Sequence, residues 1–376
     1  MNPEPPSKPA LRNRIALFAL WSLIVPHALP AADWEVPRPG HVLTFPADHG
    51  SHPGFKIEWW YLTGHLFAGE RRFGFQATFF RLGQKPVDVP AEEDFATEQL
   101  HLAHFAVSDP ATGAYLHEER LNRAGWDAAA KVGDLDLRNG NWTLRRDGTA
   151  MDLHGTIRAE AALTLRLEPK KDHVIFGEDG ISRKGPEGTA ASYYITFPRL
   201  AATGTLRIGG ETLEVSGEAW MDHEISSSQL DKDQVGWDWA CLQFADGREI
   251  MGYVLRTKDG GISPFSKLVW IGRDGTLTHQ PSAAYEWRHG GSWKSPATGA
   301  VYPVSPLIVA TDPETGVKRS LRLVPLMEAQ ELNGGAGGVS YWEGACDVRD
   351  EASGEIIGRA YLEMTGYADD IGRKLR

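Results

Sequence analysis

The sequence predicts an all-β protein built in two parts, and three observations carry that reading. Glycine (41), proline (23) and tryptophan (13) punctuate the chain. Short runs of alternating apolar and polar residues recur about every dozen residues, bounded by turn signals. Helix formers are concentrated nowhere. A chain of 376 residues, 41% hydrophobic and 24% charged, is long enough to bury a sizeable core and to divide into two domains.

The first segment reads as an address. Lys8, Arg12 and Arg14 precede the uncharged run 15–25, and Pro26 and Pro30 follow it, the order of a secretory signal. Cleavage is expected near Ala31 or Ala32, giving a signal over 1–32 and a periplasmic or secreted product; an uncleaved anchor is the alternative. No cysteine lies near that point to take a lipid. A proline-rich entry (34–46) and a polar loop (47–53) lead into the first strand, 56–66. Its alternation puts Ile57, Trp59, Tyr61, Thr63 and His65 on one face and Glu58, Trp60, Leu62 and Gly64 on the other. A hairpin through Gly69 returns as 73–82, and 100–109 follows, closed by Asp109-Pro110 and Gly113. Further runs are expected at 142–144, 151–157, 163–167, 191–197 and 204–208. The charged, glycine-containing stretch 169–189 reads as a long loop over a barrel mouth.

The strand 216–225 runs into the polar stretch 226–234, where the domain boundary is placed: an N-terminal domain over 33–228 and a C-terminal domain over 229–376. The second half opens with a hairpin, 237–244 to 249–257 through Asp246-Gly247. It continues through runs near 268–272, 284–287, 307–310, 320–324, 341–348 and 356–365. Each half is sized for one small antiparallel barrel. Cys241 and Cys346 are the only cysteines. In an exported protein they are either a disulfide or two apolar core thiols.

The net charge of −11 disfavours nucleic acid as a partner. No Walker sequence, dinucleotide fingerprint or GxSxG elbow is present, so phosphate cradles and the common serine-hydrolase arrangement have no support. His101 and His104 are three apart, which on a strand sends them to opposite faces, so no metal is expected there.

Several ordered motifs resemble the carotenoid-hydratase/AttH family. They are the runs 56–64 (KIEWWYLTG), 73–81 (FGFQATFFR), 101–105 (HLAHF), 220–224 (WMDHE), 236–239 (GWDW) and 341–344 (YWEG), with Asp246-Gly247-Arg248-Glu249, Met251 and Gly366-Tyr367. The resemblance spans about Trp34 to Tyr367. It implies two lipocalin-like antiparallel β-barrels packed side by side, with a site in or near the first barrel and the cleft between domains. It also implies a hydrophobic small molecule as ligand and, for secreted members, a membrane transport system as partner.

In the family's hydratases an aspartate of a Tyr-x-Asp motif is thought to protonate an isolated double bond, chemistry that needs no cofactor. Asp222 matches that position, with Trp220 in place of the tyrosine, and the upstream His-x-Trp pair falls near Ser192-Tyr193-Tyr194 with neither type kept. Such an acid must stay protonated near neutral pH, which burial against apolar walls supplies. On a strand Glu218, Trp220, Asp222 and Glu224 share a face. The candidate catalytic groups are therefore Asp222, Glu58, His104 and Glu224, and the candidate ligand contacts Trp60, Gln76, Phe80, Tyr194 and Trp220. A structural reading stands beside each: Asp222, His223 and Glu224 held by Arg81 or loop amides at a packed junction, Glu58 satisfying strand edges, Gln76 a core hydrogen-bonder.

Three functions fit these residues. The leading one is an exported protein that binds or carries an apolar, lipid- or isoprenoid-like molecule. The others are a cofactor-free hydratase or isomerase using Asp222 as acid, and a transport-associated accessory protein. Hydrolysis has the least support.

Overall fold

A computed structural model describes residues 1, 33–84, 99–125, 127–186, 188, 190–335, 338–369 and 371. The expected signal segment lies, apart from Met1, outside the described residues. No helix among the described residues is long and apolar enough to cross a membrane.

The fold is all-β: a nearly closed barrel followed by a half-barrel sheet. The barrel strands are β1 (Ile57–Ala68), β2 (Arg71–Gly83), β3 (Gln99–Asp109), β4 (Ala114–Arg123), β5 (Ala128–Ala130), β6 (Asp136–Asn139), β7 (Trp142–Asp147), β8 (Ala150–Ile157) and β9 (Ala161–Pro169), then β10 (Val174–Phe176), β11 (Ser182–Arg183), β12 (Ala191–Ile208) and β13 (Glu211–Ser228). Their order is β4-β3-β2-β1-β13-β12-β9-β8-β7-β6-β5, with β10 and β11 paired to β12. The second sheet holds β14 (Gln234–Phe244), β15 (Glu249–Thr257), β16 (Lys267–Ile271), β17 (Leu277–Pro281) and β18 (Glu286–Arg288). After the separate hairpin of β19 (Trp293–Lys294) and β20 (Val301–Tyr302), it adds β21 (Leu307–Thr311), β22 (Lys318–Pro325), β23 (Glu331–Asn333), β24 (Ser340–Asp350) and β25 (Ile356–Met364). Here the order is β17-β16-β15-β14-β25-β24-β22-β21-β18, with β23 on β24. The sheets change between Ser228 and Gln234.

Gly69 (φ +60°) and Gly247 (φ +86°) occupy the left-handed region in the β1–β2 and β14–β15 turns, which only glycine enters without strain. Side chains complete the barrel where the ladder stops. From β4, Arg120 Nη1 donates to Asn141 Oδ1 at 2.5 Å and Asn122 Nδ2 to Asn139 Oδ1 at 2.6 Å. The lumen is filled by Trp60, Leu62, Phe73, Phe75, Phe105, Trp142 and their neighbours. The barrel is a packed core rather than a cup.

The strand reading needs correction at three places, and the short strands β5, β6, β17, β19, β20 and β23 lie outside the expected runs. The stretch after Gly113 is strand β4, hidden by its half-buried, charged sequence, because its residues close the barrel with polar groups. The two runs expected within 191–208 are one strand, interrupted by a register shift between Phe197 and Leu200 where Pro198 lacks the N–H a ladder needs. The segment read as a long loop carries β10 and β11. Of the two alternatives for the cysteines, the structure shows the core thiols: both are free and buried. Cys241 on β14 lies opposite Tyr361 and Cys346 on β24 opposite Ala360, so β25 separates their strands. Two strand spacings, about 9–10 Å, exceed the reach of a disulfide, and the thiols belong to different cores.

The outer face of the barrel wall packs on the second sheet through Tyr61, Tyr194, Trp220, Trp239, Tyr253 and Tyr361. Gly74 on β2 sits at this junction, where a Cβ would come within 2.5 Å of Ser108 Oγ and 2.7 Å of Ala345 Cβ on β24. Gly74→Val is expected to destabilise the protein by about 1–3 kcal/mol in urea denaturation; a variant as stable as the parent would show that the sheets do not meet there.

Candidate functional site

Alternation along β1 and β13 assigns the candidate residues to two different places. Asp222 lies opposite Tyr61 and Thr196, Trp220 opposite Thr63, and Glu224 opposite Trp59 and Tyr194, whereas His223 lies opposite Trp60. The first group faces the second sheet; His223, Trp60 and Glu58 face the other way.

Between the barrel wall and the second sheet is a cavity of about 300 Å³. Its walls are mainly apolar and aromatic: Trp59, Tyr61, Phe80 and Tyr194 from the barrel side, Trp237, Trp239 and Tyr253 from the other. Asp222, Glu224, His104, Lys184, Gln229 and Glu363 are among the polar residues that line it. Few polar groups in an apolar hollow is the usual make-up of a small-molecule site.

Asp222 is 2% exposed. Its Oδ1 accepts from Thr196 Oγ1 at 2.5 Å and from Trp220 Nε1 at 2.8 Å, and Tyr194 Oη donates to Oδ2 at 2.7 Å. Trp239 Nε1, from the second sheet, donates to Tyr194 Oη at 3.0 Å. Burial lifts the carboxyl from its ordinary 3.8, the three donors pull it down, Glu224 adds a smaller upward push, and the balance leaves it at about 7. Because Oδ1 already takes two donors, Oδ2 is the oxygen left to carry the proton, with the Tyr194 hydroxyl turning to accept.

Two glutamates of the second sheet face the same wall. Glu363 on β25 and Glu343 on β24 are cross-strand partners. Burial raises Glu363 to about 8, helped by Glu224 and Asp222 against a hydrogen bond from Trp237. Burial and then Glu363 hold Glu343 well above the usual carboxylate range, although Tyr61 Oη donates to its Oε1 at 2.5 Å. At the β11 end, the Lys184 ammonium donates to Glu224 Oε2 and Gln229 Oε1, and Ser192 Oγ donates to Glu224 Oε2 at 2.5 Å.

Of the predicted residues, Asp222, Glu224, His104, Phe80 and Tyr194 line the cavity. His104 pairs with Tyr341 Oη at 2.7 Å and Glu119 at 3.0 Å. Gln76 stands behind Tyr341, bonded to Thr78 and, at 3.4 Å, to Tyr341 Oη. Trp220 supports Asp222 rather than walling the cavity. Glu58 and Trp60 are not brought to it. Trp60 stacks on His223 at 4.5 Å and donates to His49 O at 3.1 Å. Glu58 is tied to Arg81 Nε at 2.9 Å, His52 Nδ1 at 2.8 Å and His223 Nε2 at 2.9 Å. Against the cost of burial, His52 and Arg81 hold it well below the usual carboxylate range. The ligand atoms of His52, Glu58 and His223 lie within 4.8 Å of one another, as a metal would need. Arg81 occupies the carboxylate, however, and His52 bridges it to Asp48 at 2.8 Å, so the cluster's charges are already balanced from within.

Sequence reasoning missed Lys184, Thr196, Gln229, Trp239, Glu343 and Glu363. Glu363 had a visible signal, an acid inside the apolar run 360–364 of AYLEM. Lys184 had none, because it sits in a stretch read as loop.

A barrel wall backed by a second sheet, with a buried acid and a cavity between them, defines a lipocalin-like two-sheet protein. The chain belongs to the AttH-like family, whose profile matches residues 36–367. It is similar to the crystal structure of a protein from Nitrosomonas europaea described as an AttH, at 34% identity and TM-score 0.78, covering 88% of this chain and 98% of that one. Kievitone hydratase from Nectria haematococca shares the fold at 13% identity and TM-score 0.65, over 90% and 97% of the two chains. CghA bound to Sch210972 does so at 14% and 0.54, over 90% and 97%. The comparison with curated proteins finds no match.

The Glu58 cluster gives a pH test. Burial opposes charge on His52, but Glu58 and Asp48 outweigh it and raise the imidazole to about 9. Its contribution is thus fully present below the ordinary value of 6.5 and lost as pH rises through about 9. His52→Asn is expected to lower stability near neutral pH by on the order of 3 kcal/mol, with the gap to the parent closing as pH rises through 9 in thermal melts. A gap that does not change with pH would contradict the ion network.

Proposed function

We propose that the cavity binds an unsaturated, largely apolar small molecule and that Asp222 protonates a carbon–carbon double bond in it, making the protein a cofactor-free hydratase or isomerase. The observation that carries this is an aspartic acid at about 7, fixed by three donors inside an apolar cavity: a passive carrier has no use for a buried proton donor. In the step, the π electrons take the Oδ2 proton to form a C–H bond and leave a carbocation beside the Trp59, Trp237 and Trp239 rings, whose π faces attract cations. Water then adds and returns a proton to the Asp222 carboxylate, or the cation returns a neighbouring C–H proton to it and the double bond has moved. The fold also houses a protein named a hydratase, although fold alone does not carry a reaction.

Binding without chemistry is the second reading, favoured by the mainly apolar walls. Export and work beside a membrane transport system belong to the same proposal; the first rests on the basic and apolar pattern of residues 8–25, the second on the family.

Citronellol in heavy water tests the acid. The parent is expected to place deuterium on carbon at the double bond. Asp222→Asn, which resembles the protonated acid and can keep the bonds to Thr196, Trp220 and Tyr194, should bind citronellol as well and lower incorporation at least about a hundredfold, the lower range for a lost general acid. Binding by the parent without deuterium uptake would contradict the acid and leave carriage.

A further inference from the structure

We infer that the β11 end of the cavity is a clamp for a neutral oxygen, so that the ligand is an amphipathic alkene bearing a hydroxyl or carbonyl group rather than a pure hydrocarbon or a carboxylate; this rests on the cavity being the binding site.

The clamp is built from Lys184, Glu224 and Gln229. Gln229 is 1% exposed, lines the cavity, and has no partner for Nε2. Its orientation is not free to reverse. The Lys184 ammonium donates to the amide oxygen, and a flip would set the amide N–H groups against an ammonium that has nothing to accept them. The unsatisfied N–H is thus a fixed donor on a residue that lines the cavity. A buried donor left unpaired costs about 1–3 kcal/mol, which a ligand oxygen in the cavity recovers.

Charge decides which oxygen. Lys184 is paired with Glu224, so this end of the cavity is neutral before any ligand arrives. A carboxylate would bring a second anion to one ammonium in a poorly solvated place, a burial that Coulomb attraction offsets only for a matched pair. A hydroxyl or carbonyl accepts from Gln229 without disturbing that balance. The ammonium lies 5.6 Å from the centroid of Trp59 and 5.7 Å from that of Tyr194. Tyr194 donates to Asp222, so the oxygen clamp and the acid share one aromatic neighbour, and a single molecule reaches both. A cavity of about 300 Å³ lies at the small end of small-molecule sites, and a monoterpene alcohol serves as a small probe for it.

The test is a binding series read by quenching of tryptophan fluorescence, using citronellol, the citronellate anion and the hydrocarbon citronellene. In a cavity with no polar clamp the hydrocarbon binds best, because the alcohol is desolvated without return. The clamp reverses that order: citronellol is expected to bind about tenfold more tightly than citronellene, one net hydrogen bond's worth, and more tightly than citronellate. Gln229→Met, read as the ratio of the two affinities, should bring citronellol to within about threefold of citronellene. The parent's ranking decides even if that variant folds poorly. Citronellene binding as well as citronellol, citronellate binding best, or a preference that survives Gln229→Met would each overturn the clamp. Failure of all three to bind the parent would instead bring down the cavity as the binding site, and the clamp with it.

Discussion

Strand β1 and residues 219–226 of β13 are buried on both faces, and the site depends on that constraint. In a barrel open to solvent the outward residues of a wall strand are polar and wet. Here the second sheet covers them, so Trp59, Tyr61, Asp222 and Glu224 face a hollow rather than water. The inward residues fill the lumen. A fold whose name suggests a ligand inside the barrel thus keeps its cavity against the outside of the barrel wall. Tyr194 and Trp239 join the halves at that place, since a hydroxyl of one sheet and an indole of the other belong to the same hydrogen-bonded chain as the acid.

Holding an acid there weakens the fold as pH rises. A folded value near 7 against an ordinary 3.8 corresponds to about 4 kcal/mol between the two protonation states. Because the value is raised on folding, the stability is present in acid and is lost as pH climbs through about 7. One structural carboxylate is treated in the opposite way. Glu58 has Arg81 and His52 beside it and stays ionised, although it is as deeply buried. The contrast separates a carboxylate held in an ion network from an acid kept without a cationic partner of its own.

Much of the fold was legible because alternation and turn chemistry are local. The β1–β2 and β14–β15 hairpins, the motif around Asp222 and the shared face of Trp220, Asp222 and Glu224 all follow from period-two patterning and a glycine at each turn. What was not legible is what alternation cannot reveal: which face of a doubly buried strand meets which partner. Glu58 and Trp60 looked like a carboxylate with an aromatic wall, and they are neighbours, but on the side of His223. Lys184 and Glu363 come from segments far apart in sequence, and only the pairing of β11 with β12 and of β25 with β14 brings them to Asp222's cavity. Strand β4 was hidden because its charged side chains complete the barrel as polar groups rather than as an apolar stripe.

The central claim is that the junction keeps Asp222 protonatable at neutral pH. Infrared difference spectroscopy across a pH titration, with the carboxylic C=O band assigned by its loss in Asp222→Asn, measures this directly. The account predicts a band belonging to Asp222 that is present in mild acid and disappears with a midpoint near 7. A midpoint near the ordinary aspartate value, with the carboxylate already ionised at neutral pH, would contradict it.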